Sequence, residues 1–215
     1  MAVASPPFTL DPERSALLVV DMQNDFVRQG APQEVAGARD TLPTIQHLVK
    51  GLRDVARPVV YTKFLSGPGE TLMWAWSPEC APPTRSCWPG VMRAYADAEG
   101  ELEGPDIVGE IYPEPGDPIV EKYGYDAFHH TKLTDLLRAH HVTDLIVVGT
   151  VTQLCVQDTV HGAFHEGYRT VVVSDAVSSY DEELHRTTLR NIELKYGRVM
   201  SADEALVALS GSAGG

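Results

Sequence analysis

The stretch DLIVVGTVTQLCVQDTVHGAFHEGYRTVVVSDA, residues 144–176, decides the fold. "LIVVG" and "TVVVSD" are unbroken apolar runs, which is how a strand buried on both faces reads. Between them the chain carries a helical pattern over Val156–Glu166. A strand, a helix and a second strand in that order predict a parallel sheet with helices packed on its faces. Working outward, strands are expected at Asp144–Gly149 and Thr170–Ser174, and upstream at Ala16–Val20, Pro58–Lys63 and Pro118–Glu121. Helices are expected at Ala38–Ala56, Thr131–His140 and Glu182–Tyr196, the last opened by Asp181, Glu182 and Glu183, since acids favour a helix N-terminus.

The 215 residues suit one domain, and 43% hydrophobic with 22% charged residues supplies an ordinary globular core. One segment breaks the rhythm. Leu65–Gly116 holds eight of the 15 prolines, all three tryptophans and two of the three cysteines, and is expected to pack as a lid or an oligomer contact. A net charge of −13 repels phosphate backbones and anionic lipid, so neither nucleic acid nor a membrane surface is an expected partner. No apolar run approaches the ~20 residues of a membrane helix. Met1–Leu10 shows no secretion signal, which leaves the cytoplasm as the expected location. Three cysteines argue against a disulfide framework and for reduced thiols. The tail Ser210–Gly215 is small and polar and is expected to fray.

In open α/β sheets ligands bind beyond the carboxyl ends of the strands. Three chemistry-bearing residues stand there: Asp21 after "ALLVV", Lys122 after "PIVE", and Cys155 where the chain turns into a helix. Parallel strands would bring all three to one rim. A helix N-terminus and a nearby ammonium lower a thiol's pKa, so Cys155 is a candidate nucleophile. Backbone N–H groups in Gly149–Cys155 are the natural oxyanion hole. Asp21 is the candidate general acid and base, and Lys122 would offset the charge of thiolate and carboxylate. Each has a plainer reading: Cys155 as a buried packing residue, Asp21 as a turn cap, Lys122 as a solvated surface charge.

"ALLVVDMQNDFV" at 16–27, "PEPGDPIVEKYGYDAFHHTKLTDLL" at 113–137 and "LIVVGTVTQLCVQDTVHGAFHEGYRTVVVSDA" at 145–176 resemble the isochorismatase-like cysteine hydrolase superfamily, which includes N-carbamoylsarcosine amidases and ureidoacrylate and biuret hydrolases. The resemblance implies a three-layer αβα, Rossmann-like fold with a doubly wound, mainly parallel sheet of about six strands. It also implies an Asp21, Lys122, Cys155 triad, a cis peptide between Thr150 and Val151, oxyanion donors at the N–H groups of Val151 and Cys155, and a pocket-lining Phe26. Members are typically dimers or tetramers, so a homodimer or homotetramer is expected, with Trp74, Trp76 and Trp88 in an apolar patch.

There are departures. Metal-dependent nicotinamidases carry an Asp-x-His element after the second strand, where this chain has Lys63, Phe64 and Leu65. No metal or other cofactor is therefore expected. Asp126 stands where ureide-cleaving relatives show Ser or Asn, and Gln153 where they show an acid. Asp126 either turns into the pocket, where its carboxylate would repel anionic substrates, or caps and pairs locally.

His161 and His165 are spaced i, i+4 but lack a zinc protease's Glu, and read as packing or surface residues. His129–His130 and His140–His141 read as ordinary polar positions, and Cys80 and Cys87 as buried or idle thiols. "WAW" at 74–76 suits a substrate cover or an oligomer contact equally. The leading expectation is a metal-independent hydrolase of a small amide, ureide or lactam C–N bond acting through a Cys155 thioester. Isochorismatase-type ether hydrolysis comes second. A non-catalytic binding or scaffold protein is the alternative of another class.

Overall fold

The computed structural model describes residues 10–210; the expectations for residues 1–9 and 211–215 lie outside them. In chain order the elements are β1 (Ser15–Val20), the short helix α1 (Asn24–Val27), α2 (Gly37–Asp54), β2 (Val59–Phe64), the one-turn α3 (Met73–Trp76), β3 (Met92–Ala94) and β4 (Glu101–Glu103). There follow β5 (Ile119–Lys122), α4 (Leu133–Ala139), β6 (Asp144–Thr150), a π-helical turn (Thr152–Val156), α5 (Gln157–His165), β7 (Arg169–Ser178), α6 (Glu182–Lys195), β8 (Arg198–Met200) and α7 (Ala202–Leu209).

β1 shows why these residues make a double-sided sheet. Its six residues are all buried, and alternate ones point to opposite faces. Leu17 and Val19 join one apolar cluster, and Ala16, Leu18 and Val20 the other. β6 repeats the device with Ile146 and Val148 against Leu145 and Val147. The first face is covered by α2, whose Leu42, Ile45, Leu48, Val49 and Leu52 recur at helical spacing, and by α7. The second is covered by α4, α5 and α6 through Leu133, Leu137, Val160, Ala163 and Ile192. The three-layer expectation is met.

The six strands run in the order β5-β2-β1-β6-β7-β8 and every pairing is parallel. From β1 the chain winds outward to β2 and then β5, and from β6 the other way to β7 and β8, so the winding reverses between β1 and β6. A crevice opens at such a reversal.

Pattern reading missed β8 and α7, and it ended β7 at Ser174, four residues early. The missed end of β7 lies beyond a register shift between Val147 and Gly149. α6 starts where the acids predicted: Asp181 caps it by accepting from the N–H of Leu184 at 2.8 Å. Among the described residues no helix is long and apolar enough to cross a membrane.

The 65–116 segment packs without large elements, around α3 and the β3–β4 hairpin. Asp25, fully buried on α1, holds it. One carboxylate oxygen accepts from the Cys87 N–H at 2.6 Å, the other from the Tyr95 hydroxyl at 2.7 Å, and Arg93 Nε lies 3.0 Å away. A Cβ at Gly104 would meet this carboxylate at 2.4 Å, so the segment passes over Asp25 at a residue without a side chain. The shared Trp patch is corrected. Trp74 and Trp88 stack on each other at 5.5 Å and donate to the carbonyls of Ser66 and Cys80, both at 2.7 Å. Trp76 alone is open, at 80% exposure.

Candidate active site

β1, β5 and β6 end at the same rim. Asp21 follows β1 with φ +47, a conformation that side chains other than glycine seldom adopt and that turns the chain sharply off the strand. Lys122 is the last residue of β5, and Cys155 lies in the π-turn after β6. Lys122 Nζ is 2.7 Å from Asp21 Oδ2, and both side chains are fully buried. The ammonium also donates to the carbonyls of Gly124 and Tyr125, each at 3.0 Å, and stands 5.3 Å from the Phe64 ring centre. Lys122 and Asp21 both act on the Cys155 thiol, in opposite senses. The residues read from three distant strand ends therefore form one cluster.

Its electrostatics correct one expectation. Cys155 was expected to have a depressed pKa, but burial is the largest influence and pushes the thiol up. Lys122 pulls it down, and Asp21 adds to the rise. For Lys122, burial works against the ammonium, yet Asp21 and then Cys155 outweigh it and the net shift is upward. Burial thus favours the neutral thiol, and the neighbouring ammonium opposes it.

Three residues that the pattern reading passed over position the cluster. Thr62 donates to Asp21 Oδ1 at 2.6 Å and accepts from its N–H at 3.1 Å. The Gln23 amide clasps the end of β2, accepting from the Phe64 N–H at 2.7 Å and donating to the Phe64 and Pro105 carbonyls at 2.9 and 2.8 Å. Thr152 donates to the Ser178 carbonyl at 2.9 Å and sits 2.9 Å from His185 Nδ1, tying the π-turn to β7 and α6. A polar residue inside an otherwise apolar strand, such as Thr62, is the signal that was available.

The Thr150–Val151 peptide is cis, where the resemblance placed it. Gly149 just before it has φ +113, and a Cβ there would lie 2.1 Å from the Val20 carbonyl oxygen. Only glycine lets β6 pass this close to β1.

A cavity of about 320 Å³ opens over Cys155. Phe26 lines it as expected, with Phe64, Tyr125, Val151, Leu154 and Tyr180, and the 65–116 segment adds Met73, Trp76, Ser77 and Glu79. Of the two placements open to Asp126, the local one is found, and its side chain does not line this cavity. Its Oδ1 accepts from the Phe128 N–H at 2.8 Å, and the carboxylate sits against Gly162 in a separate depression with His161 and His165. Burial and nearby Asp158 raise its pKa. Gln153 also turns away, into a shallow groove beside α6. Lys63 pairs with Asp106 at 3.2 Å, Phe64 lines the cavity and Leu65 is buried. Cys80 and Cys87 are buried free thiols.

Similarity to known proteins follows the same frame. Ureidoacrylate amidohydrolase RutB of Rhizobium rhizogenes is 30% identical over 96% of this chain and 88% of its own, and the protein of that name from Methylobacterium radiotolerans is 32% identical over 90% and 78%. Among solved structures, a cysteine hydrolase from Pseudomonas syringae pv. phaseolicola superposes with a TM-score of 0.86 at 24% identity, covering 97% of this chain and 99% of that one. The N-carbamoylsarcosine amidase of Thermoplasma acidophilum superposes with a TM-score of 0.73 at 26% identity, covering 88% and 97%. The isochorismatase domain model matches residues 15–204, from the first residue of β1 into α7. That span takes in every element holding the Asp21–Lys122–Cys155 cluster, and this chain belongs to the isochorismatase domain family.

Proposed function

We propose that the chain is a cysteine amidohydrolase that cleaves a non-peptide C–N bond of a small amide or ureide. The observation that carries the reading is a buried thiol in the cavity wall, acted on in opposite senses by a carboxylate and an ammonium that are themselves buried and paired. The names of the relatives, ureidoacrylate amidohydrolase and N-carbamoylsarcosine amidase, support the bond type. A cavity of about 320 Å³ holds a small molecule and excludes a folded polypeptide.

Burial raises the thiol's pKa, which favours loss of its proton as the sulfur attacks the carbonyl carbon, with Asp21 as the base that receives it. The tetrahedral oxyanion is held by the N–H groups of Val151 and Cys155. Collapse breaks the C–N bond, Asp21 returns the proton to the departing nitrogen, and a thioester remains on Cys155. Water then gives a proton to Asp21 and attacks the thioester, which releases the acid and restores the thiol. Lys122 balances whichever of Asp21 and Cys155 carries the negative charge.

The test is release of ammonia or amine from a panel of small amides, ureides and lactams, with and without EDTA, with mass spectrometry of the quenched enzyme. Turnover that survives chelation, with an acyl adduct on the Cys155 peptide, is expected. Loss in EDTA restored by a divalent ion, or turnover without an adduct and undiminished in Cys155→Ala, refutes the reading.

A further inference from the structure

Among the described residues, the cavity over Cys155 is aromatic on much of its wall, and its charged lining groups are acidic. Phe26, Phe64, Trp76, Tyr125 and Tyr180 contribute rings, and the charged residues in the lining are Glu34 and Glu79; none is Lys, Arg or His. Glu34 is tied down. It accepts from the Gly30 N–H at 2.8 Å and from Arg39 at 2.7 Å, and these two partners, in that order, lower its pKa. Lys122 offers no free positive charge, because its ammonium is committed to Asp21 and to the carbonyls of Gly124 and Tyr125.

Glu79 differs. It sits half-buried on the turn Pro78–Cys80, and its carboxylate makes no hydrogen bond or ion pair among the described residues. The same cavity is lined by Trp76, 80% exposed, and Tyr180, 62% exposed. Aromatic faces attract cations, and Trp most strongly. An uncommitted carboxylate in a ring-lined cavity has the chemistry of an ammonium site.

We propose that Glu79, with Trp76 and Tyr180, selects substrates that carry a positively charged amine at the end remote from the scissile amide, and disfavours carboxylate-bearing amides. This deepens the amidohydrolase reading and rests on it for the identity of the scissile bond. An anion in the same place would face Glu79 with no compensating cation in the wall and would lose its hydration without return.

Charge selection is read on Cys155 without knowledge of the substrate. Two methanethiosulfonate reagents of similar size are used, one ending in trimethylammonium and one in sulfonate. In each the sulfur of Cys155, having lost its proton, forms a disulfide with the reagent as methanesulfinate leaves. Labelling is followed on the Cys155 peptide by mass spectrometry, which separates it from Cys80 and Cys87. The cationic reagent is expected to react faster in the wild type, and Glu79→Gln to lower the cation-to-anion rate ratio roughly tenfold, the size of one charge at close range in a partly wet site. Trp76→Ala should slow the cationic reagent several-fold and leave the anionic one unchanged. A ratio that favours the anion, or that Glu79→Gln does not move, overturns the proposal. In parallel, amides of equal chain length ending in an amine, a methyl or a carboxylate are assayed for turnover. If none is hydrolysed although Cys155 labels, the amidohydrolase reading fails while charge selection stands or falls on the labelling ratio.

Discussion

At Cys155 two influences oppose each other: burial holds the proton on sulfur, and Lys122 draws it off. Position at a strand-to-helix turn identified the residue, but the sign of its pKa shift depends on how completely the turn is covered, which neighbouring elements decide. Cys155→Ala should abolish turnover and change stability by no more than ~1 to 2 kcal/mol, because one small side chain is removed from a lined cavity; activity assay and urea denaturation check both. Asp21→Asn separates proton transfer from nucleophilicity. Asp21 raises the thiol's pKa, so its neutralisation lowers that pKa, and alkylation of Cys155 by iodoacetamide should move to lower pH. Amide turnover should fall by about two orders of magnitude or more, because the leaving nitrogen loses its proton donor. Unchanged turnover would remove Asp21 from the mechanism. Asp126 shows the opposite limit: its spacing from Lys122 suggested the cavity, yet a bond to the Phe128 N–H turns it into a different depression.

Among the elements, the central strands β1 and β6 were legible because every residue of each is buried and the run is apolar. β8 and α7, the last two elements, were not expected. The 65–116 segment was recognisable as packed material from its tryptophans and prolines, but what holds it was invisible. Asp25 lies some 60 to 80 residues from its partners and resembles any acid in a short helix. Asp25→Ala strands Arg93 and the Tyr95 hydroxyl in a buried place, and breaking a buried ion pair costs about 3 to 5 kcal/mol. Hydrogen exchange and limited proteolysis should accelerate across residues 78–104 while the sheet stays protected. Uniform loosening of the whole chain would show that Asp25 supports the core rather than this segment.

For the whole molecule, several groups are held protonated by the fold. Burial raises Tyr61 to about 12 and pushes up Tyr95 and the thiols of Cys87 and Cys155. Unfolded, tyrosine ionises near 10.0 and cysteine near 9.0. Above pH 9 the unfolded chain therefore holds fewer protons than the folded one, and stability falls as pH rises. Well below pH 9 these groups contribute little slope. Urea midpoints at pH 8, 9.5 and 11 should decline in that order, and Tyr61→Phe should flatten the part between pH 10 and about 12. Assembly is also a property at this scale. We propose a homo-oligomer, since β5 and β8 leave two sheet edges and Leu72 and Trp76 are each 80% exposed; light scattering at micromolar concentration giving a monomer mass would refute it.

The sequence by itself determined the layer architecture, the strand ends and the three residues that meet there. Apolar runs and their periods are local properties, and a parallel sheet brings every strand's carboxyl end to one side. Only the tertiary structure decided which strands flank the winding reversal, the direction of the Cys155 pKa shift, the anchoring role of Asp25, and which acids face the cavity. Those outcomes depend on contacts between residues tens of positions apart. Burial, and the charge it tolerates, exists only once the layers have closed.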